Sequence, residues 1–377
     1  MESFSIKDLA KIIERDAKDA TYKFALLRGT IEVIQEHGHY KEVSEKGVTF
    51  PLGLLVLKWV EYYYPILSYP AFIPQKHGDS SSRTIAFRPE FEKMIALYPS
   101  TRYADQLFYD LKRGIREEHK LMAVRQLFSM LKDIIVRQPM HFIGSAINRG
   151  GEIYTYNRDA RWPSRMTHID LELIIQSLGT FTIPVDFCHV LDNVGSFLTG
   201  TQSIIFKWAE FTSHLSRESA INTSDMISLL KSDFNERDIL QARNFYSDLL
   251  KVEPLSCVWT GRMIRKDLHI DHMVPFVAYR NNDLWNLLPA LGTVNIKKSD
   301  RIPSSELLST GGIRERIIGY WENLFARFAD QFRSEIQVSL LGRHPFSMRS
   351  WQNDSYENLK GLCNHLIADR GFEPFTI

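Results

Sequence analysis

Residues 257–303 read CVWTGRMIRKDLHIDHMVPFVAYRNNDLWNLLPALGTVNIKKSDRIP, and the order of polar residues in this run decides how the segment folds. A stretch of strand character ends in Asp271-His272, Asn286 follows, and Asn295 then precedes Lys298, Ser299, Asp300 and Pro303. Taken singly these residues say little: an Asp-His pair in a strand is usually a surface pair, and an isolated Asn is usually a turn or cap residue. Their joint order and spacing carries the signal.

Over residues 252–305 the chain resembles the HNH nuclease family, in which an (I/V)DH(I/M)VP strand likewise precedes an Asn and then Asn-x-x-Lys-Ser-Asp. The pattern is most similar to bacterial HNH proteins and to the HNH domain of RNA-guided CRISPR nucleases. The resemblance implies a compact ββα-metal fold with a catalytic His and one divalent ion. It also implies that Asn286 braces the loop between strand and helix, fixing the backbone that presents the His; small misplacements of a positioned group are expensive. A setting in defence against phage, as the nuclease of a multi-gene system such as Zorya, is a further implication of that likeness.

The residue types suit the chemistry. Cutting a phosphodiester requires a base to activate water, a cation to stabilise charge on the phosphate and leaving oxygen, and fixed geometry among them. A neutral imidazole with an ordinary pKa of about 6.5 suits the first task, which assigns His272 as general base. Asp271 is a hard oxygen donor beside it, and Asn295 offers a neutral carbonyl oxygen from the helix expected next. Such a set suits magnesium, with manganese able to substitute and with water and substrate phosphate completing the shell. His269 lies two residues before Asp271, so strand alternation turns both to one face, where His269 either lines the site or faces solvent.

Many HNH domains clip their small fold with two Cys pairs on a structural zinc. Here Cys257 has only Cys188 and Cys363 as distant companions, so no structural zinc is expected. Apolar packing has to replace it, supplied by Val258, Trp259, Ile270, Val274, Phe276, Leu284, Trp285 and Leu287. The segment is locally basic: Arg262, Arg265, Lys266, Arg280, Lys297, Lys298 and Arg301 outweigh Asp267, Asp271, Asp283 and Asp300. Arg262, Arg265, Lys266, Lys297, Lys298 and Arg301 are therefore the candidate DNA-binding residues.

The rest of the chain bounds the answer. At 377 residues it is long for one core, and its 44% hydrophobic and 24% charged content is ordinary for globular protein. A net charge of +1 excludes a uniformly basic nucleic-acid binder, so DNA contact has to come from local asymmetry. Three cysteines without pairing pattern point to a reducing, cytoplasmic compartment. The amino terminus lacks the apolar core of a signal peptide, and the apolar stretch 51–72 is interrupted by Lys58, Glu61 and prolines, so no membrane partner is expected.

By pattern the first half is helical. Ser5 and Asp8 form a capping signal ahead of a periodic run to Gly38; a buried helix follows Pro51; residues 75–83 are a polar loop; Pro89 opens the next helix. MHFIG and the segment after Gly150-Gly151 look like short strands. Two further stretches are candidate nucleic-acid contacts. One, Lys112 to Arg137, carries Arg113, Arg116, Lys120, Arg125 and Lys132; the other carries Tyr154, Tyr156, Arg158, Arg161 and Trp162. A solvated helix face explains the first and a packed loop the second equally well. RESAINTSD reads as a linker, and no phosphate-binding glycine loop or repeat occurs.

The expected class is α+β: a mainly helical amino-terminal domain with a small sheet (1–215), a ββα-metal domain with a leading helix (224–312), and a helical extension packing on it (313–377). The function expected is a magnesium-dependent DNA endonuclease that nicks as a monomer. Its alternatives are an RNase using the same site and a non-catalytic DNA-binding or assembly subunit.

Overall fold

The computed structural model describes residues 3–78, 84–98, 105–157, 160–196, 198–216, 221–231 and 238–377. The chain divides into two compact units, Met1–Phe234 and Asn235–Ile377. Arg158, loop residues 79–83, linker residues 217–220 and residues 235–237 of the expected leading helix lie outside the described residues.

The first unit is mainly helical, with α1 (Ile6–Arg15), α2 (Tyr22–Glu36), β1 (Glu42–Ser44), β2 (Gly47–Pro51), α3 (Leu52–Leu67), α4 (Arg88–Leu97), α5 (Asp105–Arg113), α6 (Glu118–Arg137) and α7 (Pro139–Phe142). After these come β3 (Thr155–Asn157), α8 (Leu171–Ser177), β4 (Thr180–Ile183), α9 (Val185–Ser196), α10 (Leu198–Leu215) and α11 (Thr223–Lys231). α11 packs on α10 and α3, which carries this unit past the expected linker. The capping box forms, Ser5 Oγ accepting the Asp8 N–H and the Asp8 carboxylate accepting the Ser5 N–H at 3.1 Å. The single helix expected up to Gly38 is broken, however. Asp16 is buried, and its carboxylate accepts the N–H groups of Gly144 and Ala146 at 2.7 Å each, which holds it off the helical path between α1 and α2.

MHFIG is also corrected: it opens with the helical turn α7, whose first residue is Pro139, a residue without an N–H to give a strand ladder. The four-stranded antiparallel sheet has the order β1-β2-β4-β3, so the strand after Gly150-Gly151 pairs with the distant β4. Gln75, expected in a polar loop, is buried and accepts the indole N–H of Trp208. Among the described residues no helix is long and apolar enough to cross a membrane.

α3 is buried along nearly its whole length and carries Lys58 inside. The Lys58 ammonium meets Glu36 at 2.6 Å, Glu61 at 3.2 Å and Glu32 at 3.5 Å, while Arg28 pairs with Glu32 at 2.8 Å and lies over the Tyr62 ring. Burial would push Lys58 down, but the three carboxylates outweigh it and hold it well above its ordinary range.

The second unit contains α12 (Leu240–Val252), β5 (Leu255–Ser256), β6 (Met263–Ile264), β7 (Leu268–His272), α13 (Phe276–Tyr279), β8 (Leu287–Leu291), α14 (Gly292–Lys298) and β9 (Ile302–Pro303). It continues through α15 (Ser305–Leu308), α16 (Gly311–Arg327), α17 (Ala329–Ile336), a π-helical turn at Gln337–Leu341, α18 (Trp351–Ala368) and β10 (Pro374–Phe375). β7 and β8 pair antiparallel, His272 opposite Leu287 and Asp271 opposite Leu288, and α14 packs on both strands. This is the expected ββα arrangement. The helical extension expected over 313–377 turns a corner at Phe328, which separates α16 from α17.

One apolar core runs through this unit from Ala242 to Phe375, so the carboxyl-terminal helices share the core of the ββα segment. The apolar residues expected to replace a zinc clip are all in it except Phe276, which is half-buried. β10 pairs parallel with β9, placing Phe375 edge-on against Trp259 at 5.6 Å.

Lys58→Met is expected to destabilise the protein by about 2–4 kcal/mol, because it removes the buried cation shared by three half-buried glutamates, of which Glu32 keeps another partner in Arg28. Denaturant unfolding of the variant checks this. A loss below about 1 kcal/mol, the size of an exposed pair, would mean that solvent screens the cluster.

Candidate active site

β7 delivers two adjacent side chains to opposite faces of the hairpin. Asp271 is 3% exposed and His272 is 2% exposed. The Asp271 carboxylate accepts the Trp259 indole N–H at 2.6 Å on Oδ2 and the Lys298 ammonium at 3.1 Å on Oδ1. Lys298 also donates to the His272 carbonyl at 2.7 Å. One buried cation thus ties the carboxylate to the backbone of the residue that follows it.

Lys298 was expected among the DNA-binding residues, and its placement corrects that. Its side chain is 0% exposed and committed to Asp271, so it has no surface to offer a phosphate. Trp259, expected as plain core, is core and donor at once: a buried indole needs a partner for its N–H, and here the partner is the site carboxylate. Its loop is braced by Arg316 of α16, which donates to the carbonyls of Val258 at 2.8 Å and Trp259 at 3.2 Å.

His272 Nε2 lies 3.0 Å from Asn282 Oδ1, and the imidazole packs edge-on against Phe276. Asn282 had no place in the sequence reading. Asn286 is fully buried. Its Oδ1 accepts the Val274 N–H at 2.7 Å, its Nδ2 donates to the carbonyls of Val274 at 3.0 Å and Asn281 at 3.1 Å, and its own carbonyl accepts the Met273 N–H. The side chain therefore stitches the two ends of the loop after His272 and touches no solvent.

Further latches come from the carboxyl-terminal helices. Glu335 of α17 accepts the Leu284 N–H at 2.7 Å, Trp321 of α16 donates to the Trp285 carbonyl at 2.8 Å, and Ser339 in the π-helical turn donates to the buried Asp283. These fix the segment that carries Asn281, Asn282 and Asn286.

Asn295 sits on α14, half-buried, and its side chain makes no hydrogen bond among the described residues. His269 faces Asp267 at 3.2 Å and crowds Gly292, where a Cβ would come within 2.7 Å of its Nε2. Gly292 sits at the start of α14, where a side chain would have to displace the half-exposed ends of His269 and Asp267. Of the basic residues, Arg262, Arg265, Lys266 and Lys297 are exposed, whereas Arg301 is half-buried and caps α14 by donating to the Lys297 carbonyl. In the first unit, Lys120 is paired with Asp110 and Glu117, Trp162 donates to Ser129, and Tyr154 is buried on Thr30. Those residues serve packing.

Whether a hard cation fits is decided by the donors. Asp271 accepts Trp259 on Oδ2 and Lys298 on Oδ1, and a hard cation at this site would share that carboxylate with both donors. Asn295 adds an uncommitted amide oxygen. Among the described residues no group of three or more His, Cys, Asp or Glu side chains is placed to hold a metal, so this fit rests on one carboxylate and one amide. Cys257 is buried in the apolar core.

Residues 2–230 match the family described as Domain of unknown function (DUF8808), and residues 257–304 match the family described as HNH endonuclease. No curated protein and no solved structure matches the chain. The HNH match covers the segment whose sequence pattern resembles that family.

Lys298→Met is expected to cost about 3–5 kcal/mol of stability by leaving Asp271 buried and unpaired. The double variant Lys298→Met/Asp271→Asn should regain part of that loss, since the stranded charge is gone. Strict additivity in a denaturant series would show that the two residues do not act as a pair.

Proposed function

We infer that this chain, which belongs to the DUF8808 family, is a metal-dependent HNH endonuclease that hydrolyses DNA phosphodiester bonds. The observation that carries the reading is the ββα hairpin-helix unit with Asp271-His272 on β7 and Asn295 on the α14 that packs against it.

Each residue has a task in this reading. His272 takes a proton from water. Asp271 and Asn295 hold magnesium, and when bound the ion supplies positive charge toward the phosphate and the leaving oxygen. Lys298 neutralises the Asp271 charge in the substrate-free protein, so a phosphate arriving with its own negative charge strengthens cation binding. Asn286 fixes the loop. Arg262, Arg265, Lys266 and Lys297 face solvent and supply sequence-independent contacts to the phosphate backbone. Because His272 is 2% exposed and covered by Phe276, substrate binding has to open a path to its ring.

The first unit carries no comparable chemical constellation, and its task is to set where and when the second unit cuts. A place in anti-phage defence, alone or with other proteins of such a system, rests on the HNH resemblance. One base and one ion serve one strand, so a monomer nicks duplex DNA and two sites make a double-strand break.

The test is cleavage of supercoiled plasmid, linear duplex, single-stranded DNA and RNA with magnesium. Open circle should precede linear product, and a chelator should stop the reaction. His272→Ala should abolish cutting while leaving DNA binding near wild type, at a stability cost of about 1–3 kcal/mol for the lost buried ring; a variant cutting at the wild-type rate would falsify the assignment. Asn295→Ala should regain part of its activity at high magnesium or manganese. Cleavage of RNA alone would transfer the same chemistry to an RNase.

A further inference from the structure

The second observation at His272 concerns which ring nitrogen carries the proton. Asn282 Oδ1 lies 3.0 Å from His272 Nε2 and also 3.2 Å from the backbone nitrogen of Asp238. A backbone N–H can only donate, so the amide atom facing it has to be the oxygen and not the NH2 group. The orientation of the amide is thereby set by a neighbour of fixed polarity. An oxygen that faces Nε2 in turn requires Nε2 to be the protonated nitrogen. The lone pair then sits on Nδ1.

Asn282 is itself held. Asn281 donates to Asp283 at 2.8 Å and accepts the Asp283 N–H at 2.9 Å, and Asn286 donates to the Asn281 carbonyl at 3.1 Å. On its far side Asp238 is fastened to the start of α12 by accepting the Leu240 N–H at 2.8 Å. Asp238 lies just inside the second unit, which begins at Asn235. The chain therefore enters this unit at the hydrogen bond that settles the imidazole.

We propose that Asn282 is a positioning residue that fixes His272 as the Nε2–H tautomer, so that Nδ1 is the nitrogen that takes the proton from water. Asn282 touches neither substrate nor metal in this role; it acts through the imidazole. Nδ1 is buried in this structure, so substrate binding has to open a path to it. The mechanistic half rests on the reading of His272 as general base, whereas the tautomer half stands on geometry alone.

The experiment uses the full chain labelled with 15N-histidine, with His272→Ala identifying the resonances and the pH mildly alkaline so that the ring is neutral. The wild type should show the Nε2–H pattern. Asn282→Ala should shift it toward a mixture and lower kcat about 10- to 100-fold with KM within about twofold, the scale on which loss of a histidine's orienting partner acts. Asn282→Asp, which keeps an acceptor oxygen, should keep the tautomer and recover part of kcat. A wild-type ring in the Nδ1–H form overturns the proposal with no variant needed. So does an Asn282→Ala protein with tautomer and kcat unchanged. If the tautomer behaves as expected but no nucleic acid is cut, the positioning role stands and the nuclease reading is what fails.

Discussion

The second unit depends on a single buried carboxylate. Asp271 is surrounded by protein on a strand of a small hairpin, where an uncompensated charge would cost several kcal/mol. Two donors from different parts of the chain remove that cost: the indole of Trp259, ahead of the hairpin, and the ammonium of Lys298, at the end of the following helix. Because Lys298 also holds the His272 carbonyl, the same contact that neutralises the charge sets the backbone of His272.

Supports radiate from that contact. Trp259 is held by Arg316 of α16 through its carbonyl and by Phe375 of β10 through its ring. The loop that returns from His272 is stitched by Asn286 and pinned from α17 and the π-helical turn by Glu335 and Ser339. A ββα segment of this size has too little interior to stand alone, and the surrounding helices share their core with it. This explains why the apolar cluster is continuous from α12 to β10.

The first unit solves a similar problem differently. Its central helix α3 buries a lysine, and three glutamates from α2 and α3 gather on it. Both units thus place a fully engaged lysine next to carboxylates inside an otherwise apolar setting. In the second unit the arrangement lies at the candidate site, where Lys298 bridges the Asp271 carboxylate and the His272 carbonyl.

Local signals were legible in the sequence wherever the determining contact is short in range. Helical periodicity, the Ser5–Asp8 cap, Pro89 at a helix start and the order Asp271-His272, Asn286, Asn295 depend on neighbours along the chain, and the ββα unit follows from them. Where the partner is distant, the sequence was silent or misleading. Asp16 breaks a periodic helix because residues 144–146 need an acceptor, and the strand at Thr155–Asn157 exists because β4 is there to pair with it. Lys298 reads as a surface cation in a basic run, and only the fold turns it inward onto Asp271. Asn282 carries no local signal, and only the return of the chain at Asp238 gives its amide a fixed polarity against His272. Residue type and spacing determined the local elements and the order of the candidate site residues; contacts between residues far apart in sequence decided how Asp271, His272 and Lys298 are held, because the energy of a buried polar group is set by what surrounds it.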